Sequence, residues 1–176
     1  MFEVEAKVVL MAPGALRDRL RRLGAVPHDP ATQTDHYLHH PCRDVAARDE
    51  AVRVREEADG VGGVRWRVTH KGPRAGASRE EREVGTDADP RPLLEALGFR
   101  HAATVRKRRE PWRLGTLWVV LDEVEGLGRF AEVEAVVADA PGVAAARERV
   151  DSALRELGLA GAERVATSYL ELLQDS

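Results

Sequence analysis

With a single cysteine, Cys42, the chain can form no internal disulfide framework, and that sparing use fits a reducing compartment. It lacks any apolar run near the ~18 residues a membrane helix needs, and it begins MFEVEAK rather than with a signal-peptide pattern. The expectation is a soluble cytoplasmic protein without membrane attachment. Excess charge of either sign is also missing: 27 Lys and Arg against 30 Asp and Glu leave −3, which argues against a general nucleic-acid binder. Neither a Walker A loop nor a GxGxxG fingerprint occurs, so the familiar nucleotide folds are not supported. Lysine is scarce in a chain that otherwise writes arginine, and the three present are Lys7, Lys71 and Lys107. At 176 residues, the simplest organisation is one domain over 1–176.

What the chain does have is alternation. Side chains along a strand point to opposite faces with period two. In Phe2 to Val8 this puts Glu3, Glu5 and Lys7 on one face and Val4, Ala6 and Val8 on the other. Val52 to Arg55 aligns Arg53 with Arg55, and Val64 to Lys71 sets Arg65, Arg67, Thr69 and Lys71 against Trp66 and two valines. Leu117 to Val124 places Asp122 with Trp118 and Val120, and Phe130 to Val137 aligns Glu132 with Glu134. A merely solvated face needs no grouping of sign. Here the signs are grouped, Glu-Glu-Lys, then Arg-Arg, then Glu-Glu, as a closed sheet binding a metal-bound polyanion requires.

Glu-Val-Glu-Ala occurs twice, at 3–6 and 132–135, each time leading into a helix that ends Leu-Gly, at Leu23-Gly24 and Leu157-Gly158. A weaker third copy, Glu81-Arg82-Glu83-Val84, leads to Leu97-Gly98. The helices are expected at Pro13–Leu23, Pro90–Leu97, Val143–Leu157 and about Glu163–Leu173, with proline at starts and glycine past ends. The expectation is that the two Glu-x-Glu pairs face one another across the closed sheet. The stretch Gly72 to Ala77 reads as a mobile loop at its mouth.

Four inward carboxylates with Asp122 nearby make an all-oxygen ligand set, which suits Mg²⁺ or Mn²⁺ rather than zinc. Unpaired, they would repel one another and rise in pKa, so metal or basic neighbours are needed. Arg53, Arg55, Lys71, Lys107 and Arg109 supply the opposite sign and can grip phosphate oxygens. The ligand inferred is a phosphate-rich anion with a divalent metal. Trp66, Trp112 and Trp118 are expected to pack in the core, with one of them able to stack on a base.

The motif series carries a resemblance. Glu3-x-Glu5-x-Lys7 is similar to the ExExK signature of the CYTH superfamily, the triphosphate tunnel metalloenzymes. Later motifs follow that family's order: Thr34-Asp35-His36-Tyr37, Glu50 to Arg55, Thr69 to Pro73, Arg79 to Glu83 and Lys107 to Arg109. Leu121 to Gly128 then runs into Phe130 to Glu134, and Ser168 to Leu173 closes the series. The resemblance implies an α+β fold, a closed eight-stranded antiparallel β tunnel with a charged lumen and helices outside. It implies metal at Glu3, Glu5, Glu132, Glu134 and Asp122, and phosphate at Lys7, Arg53, Arg55, Lys71, Arg79, Lys107 and Arg109. The catalytic set would be Glu3, Glu5, Lys7, Lys71, Glu132 and Glu134. The segments around Tyr37, Lys71-Gly72-Pro73 and Ser168-Tyr169 are most similar to the class IV adenylyl cyclase branch. That implies ATP converted to cyclic AMP and pyrophosphate. The related activity is hydrolysis of inorganic or thiamine triphosphate, and a non-catalytic polyphosphate- or nucleotide-binding module is the remaining reading. A homodimer is compatible with the family.

Overall fold

The computed structural model describes residues 1–76 and 78–175. Its strands are β1 (Phe2–Val9), β2 (Val26–Pro27), β3 (Ala31–His39), β4 (Ala51–Ala58) and β5 (Val64–Ala75). They continue with β6 (Ser78–Thr86), β7 (Arg100–Leu114), β8 (Leu117–Val124), β9 (Gly128–Val137) and β10 (Arg164–Val165). The helices are α1 (Pro13–Arg22), α2 (Arg91–Ala96), α3 (Gly142–Glu156) and α4 (Tyr169–Gln174). No described helix is long and apolar enough to cross a membrane.

Eight strands close antiparallel in the order β1-β6-β5-β4-β3-β7-β8-β9, with β9 returning to β1. This is the α+β tunnel expected from the motif series, with the helices outside it. The two-residue strands β2 and β10 pair along β7 and β1. Closure is uneven. β1 pairs β9 from Phe2 to Val9, but among the described residues it meets β6 only at Phe2, Glu3 and Val4, and further along that edge β10 takes over at Lys7 and Val8.

Alternation decides what each face meets. Val4, Val8, Val119, Leu121, Ala131 and Val133 point outward and form one buried cluster with Leu16 and Leu20 of α1 and Ala146, Val150 and Leu154 of α3. A second cluster packs Val52, Val54, Trp66 and Val68 against Leu94 of α2 and Phe99. A third lies at one end of the tunnel, where Tyr37, Val105, Val124 and Phe130 meet Tyr169, Leu170, Leu172 and Leu173 of α4. The apolar stripe of each helix thus covers the apolar face of the sheet, and the charged face is left to the interior.

The Leu-Gly endings have a common geometry. Gly24, Gly98 and Gly158 adopt φ of +73°, +93° and +74°. In each case the glycine N–H donates three residues back, and the next residue's N–H donates five back, to Leu20, Leu94 and Leu154. This is the Schellman stop, which a residue with Cβ adopts only with strain.

Three expectations are corrected. The two Glu-x-Glu pairs do not face one another across the lumen; β1 and β9 are neighbours, and Glu5 pairs directly with Glu134 and Lys7 with Glu132. The last helix begins at Tyr169, not near Glu163, because Arg164–Val165 is taken up by β1. Ser168 then caps α4, in a reciprocal capping box with Glu171. The 72–77 stretch is not a loop: β5 runs through it to Ala75, with a register shift between Lys71 and Arg74 that accommodates the missing N–H of Pro73. Gly76 makes the turn at φ +67°, and Ala77 lies outside the described residues.

Candidate active site

The lumen encloses a cavity of about 730 Å³, and its wall brings together Glu3, Glu5, Lys7, Arg53, Arg55, Lys71, Arg79, Lys107, Arg109, Glu132 and Glu134. These residues come from β1, β4, β5, β6, β7 and β9. Asp122 of β8, only 2% exposed, lies behind that wall. It accepts hydrogen bonds from Arg109 Nε at 2.8 Å, Arg109 Nη2 at 2.6 Å and Lys107 Nζ at 3.1 Å.

The carboxylates divide into two groups. Glu132 is ion-paired with Arg109 and with Lys7, the latter at 3.4 Å. Burial pushes the pKa of Glu132 up, but Arg109, Lys107 and Lys7 together hold it well below the usual carboxylate range. Asp122 is lowered in the same way, by Arg109 and Lys107 against its burial. Glu3, Glu5 and Glu134 stand differently. One oxygen from each lies within 4.8 Å of the others. Burial raises all three pKa values, and the mutual repulsion of lumen carboxylates adds to it. Their nearby cations are shared: Lys71 sits 3.6 Å from Glu3 but is bonded to Glu81, Lys7 lies 3.3 Å from Glu5 but also pairs with Glu132, and Arg109 reaches Glu134 at 3.3 Å while also serving Asp122 and Glu132. The cluster is short of positive charge.

A divalent cation fits that shortage. The donor set is all carboxylate oxygen, which suits Mg²⁺ or Mn²⁺, and the three raised pKa values mark where an added cation would displace protons. Glu3, Glu5 and Glu134 are therefore the members of the expected metal set whose carboxyl groups converge and whose cations, Lys71, Lys7 and Arg109, are each shared with another acid. Glu132 and Asp122 are committed to Arg109 and the lysines.

The bases are likewise pre-arranged. Asp35 on β3 accepts hydrogen bonds from Arg55 at 2.6 and 2.7 Å and from Arg53 at 3.3 Å. That holds its carboxyl far below its ordinary pKa despite burial. The Arg53 Nε is buried with no hydrogen-bond partner among the described residues. Lys7 donates to the Thr167 carbonyl at 3.2 Å and lies over the Tyr169 ring; against its burial, Glu5 and Glu132 raise its pKa to about 12. Lys107 is pulled the other way, to about 8, by burial and by Arg109. Arg79 reaches the cavity wall but spends two donors on backbone, the Gly72 and Asp49 carbonyls at 2.9 and 2.8 Å.

Three functional positions escaped the sequence reading. Glu81 pairs with Lys71, and its signal was present in the third Glu-x-Glu copy. Asp35 fixes the paired arginines; it stands in the motif Thr34 to Tyr37, but its partners are 18 and 20 residues away. Tyr169 donates from its hydroxyl to Asp122 at 3.1 Å across 47 residues, a contact with no local signature.

A model of the CYTH domain matches residues 1–169. A Methanocaldococcus jannaschii protein, provisionally named an adenylate cyclase, is 33% identical over 98% of this chain and 98% of its own length. The adenylate cyclase CyaB of Aeromonas hydrophila is 31% identical over 99% of this chain and 90% of its own. A solved protein structure from Pyrococcus horikoshii is 34% identical, covers 98% of each chain and superposes with a TM-score of 0.86.

Proposed function

This chain belongs to the CYTH domain family, and from that footing we propose that it is a divalent-metal-dependent adenylyl cyclase of the class IV type, converting ATP to cyclic AMP and pyrophosphate. The observation that carries the reading is the division of the lumen. A carboxylate cluster short of cations, Glu3, Glu5 and Glu134, shares one cavity with arginines and lysines already oriented by Asp35 and Asp122. A site built only to hold an anion gains nothing from the acidic cluster. The names carried by two full-length relatives above 30% identity support the same reading.

Glu3, Glu5 and Glu134 would hold Mg²⁺ or Mn²⁺, with Glu132 beside them. When bound, the ion supplies positive charge that eases deprotonation of the ribose 3′-hydroxyl. Lys7, Arg53, Arg55, Lys71, Lys107 and Arg109 bind the phosphate oxygens. Their ammonium and guanidinium groups stabilise the charge that grows on pyrophosphate as the 3′-oxygen bonds to the α-phosphorus and the bridging P–O bond breaks. In this reading the hydroxyl proton passes to a lumen carboxylate or to water in the cavity. Asp35 and Asp122 keep the bases in position, which spares reorganisation during the reaction. Arg79, tied to backbone, holds the wall by Gly72 and Asp49. The proposal includes a cytoplasmic location and a small-molecule triphosphate as the only partner besides a second copy of the chain.

The test incubates the purified protein with ATP, and separately with inorganic triphosphate, in Mg²⁺ or Mn²⁺, and resolves the products by chromatography. Cyclic AMP with pyrophosphate is expected. Orthophosphate from inorganic triphosphate with ATP untouched would replace the cyclase by a triphosphatase. Tight binding without turnover in either metal would leave a binding module. Glu134→Gln should abolish turnover while leaving the thermal unfolding curve cooperative.

A further inference from the structure

We infer that Trp118 is the platform on which the nucleobase of a nucleoside triphosphate stacks, and that it thereby sets which phosphate lies at the carboxylate cluster. The inference rests on the nucleotide reading of this lumen and adds to it the means of choosing nucleotide over bare triphosphate.

Of the three tryptophans, Trp118 is the one on the cavity wall. Trp112 is buried in the cluster under α1, and Trp66 packs outside the barrel against Leu94 and Phe99. The Trp118 ring is also held. The Arg113 guanidinium lies 5.0 Å from its centroid, and the His28 ring meets it edge-on at 4.8 Å and 65°. A braced aromatic ring loses little conformational entropy on taking a ligand against it. On the same wall stands Val136, 52% exposed, whereas the two tyrosines there, Tyr37 and Tyr169, are buried. An aromatic ring and an apolar side chain have no use for phosphate, but they suit the flat face of a base.

Register places this spot next to the chemistry. Trp118 is the direct cross-strand partner of Glu134, and Val136 is the partner of Glu3. Directly paired side chains in a sheet have Cβ atoms about 4.5–5.5 Å apart. A base resting on Trp118 therefore brings the first phosphate beyond its ribose to Glu3, Glu5 and Glu134, and leaves the outer phosphates to the lysines and arginines. That order puts the α-phosphorus, rather than the terminal one, at the carboxylates. Inorganic triphosphate has no ring to place there and feels none of this.

Binding separates the possibilities, measured by titration calorimetry without divalent metal so that nothing turns over. ATP and inorganic triphosphate are each titrated into the wild type, Trp118→Ala and Trp118→Phe. The expected result is a loss of roughly 5- to 150-fold in ATP affinity for the alanine variant, the range that removing one base–aromatic stack gives. The phenylalanine variant should fall between, and the affinity for inorganic triphosphate should stay within about twofold. In the wild type, ATP should quench tryptophan fluorescence where triphosphate does not, a signal that needs no variant to fold. Equal losses for both ligands, unchanged ATP affinity in the alanine variant, or identical quenching by both ligands would overturn the assignment. If the wild type forms no cyclic AMP, the cyclase reading fails on its own assay, while the contrast between ATP and triphosphate at Trp118 is still decided by these titrations.

Discussion

Replacing Asp35 by Asn probes how the lumen bears its own charge. Asp35 is 2% exposed and is hydrogen-bonded by both Arg53 and Arg55. The substitution keeps the volume and removes the charge, so two buried guanidiniums are left facing one another, with Lys107 nearby. Removing one partner of a buried ion pair costs about 3–5 kcal/mol, against a total stability of about 5–15 kcal/mol for a domain. With a urea slope of about 1–3 kcal/mol/M, the midpoint of unfolding should fall by at least roughly 1 M. The pH dependence has a definite sign. A carboxylate whose folded pKa is depressed contributes stability that is whole above its unfolded value near ~3.9 and lost as pH falls through the folded value. Wild type and variant should therefore differ fully from pH 5 to 8 and converge only in strong acid. Inorganic triphosphate, by restoring negative charge beside Arg53 and Arg55, should raise the midpoint of the variant more than that of the wild type. Urea melts followed by tryptophan fluorescence measure all of this. A variant as stable as the wild type at pH 7, or one that triphosphate does not favour, would refute the reasoning.

The carboxylate cluster predicts the opposite slope. Acids whose folded pKa is raised bind more protons folded than unfolded, so without metal, stability should fall as pH rises from about 4.3 through the raised values of Glu3, Glu5 and Glu134. Thermal melts in EDTA should accordingly fall as pH rises above about 4.3, and added Mg²⁺ should raise the melting temperature by more the higher the pH; a gain that does not change with pH would count against a metal at these residues. Tyr169→Phe removes the buried hydroxyl that donates to Asp122 while keeping the ring under Lys7 and Lys107. A hydrogen bond to a charged group is worth about 1.5–3 kcal/mol, so a loss in that range is expected in urea melts, and no loss would show that the hydroxyl bears no part of the Asp122 network.

Much of the lumen was legible because a strand reports its faces directly. Period two separates Glu3, Glu5 and Lys7 from Val4, Ala6 and Val8 whatever lies beside the strand, and the same holds for Arg53 with Arg55 and Glu132 with Glu134. Proline and glycine punctuate α1, α2 and α3 through local backbone geometry, so the Leu-Gly stops were readable too. The start of the last helix is not legible because nothing local in the two residues Arg164–Val165 marks a strand, and only pairing with the edge of β1 makes them one. The 72–77 stretch was misread because glycine and proline signal a turn locally, while pairing with β6 carries β5 past them.

What the sequence determined by itself was therefore the charge of each face, the helix stops and, through the ordered motifs, the family's tunnel. Tertiary structure decided which charges are spent on one another. Glu132 and Glu134 are two residues apart on one face of β9, yet Glu132 falls among Lys7, Arg109 and Lys107, and Glu134 falls with Glu3 and Glu5. Asp35, Glu81 and Tyr169 acquire their roles only when closure of the barrel brings Arg53, Lys71 and Asp122 to them. Sequence spacing fixes the direction of a side chain within its strand. Its pKa and its partner depend on charges from other strands within a few ångströms, and only strand order and register set those.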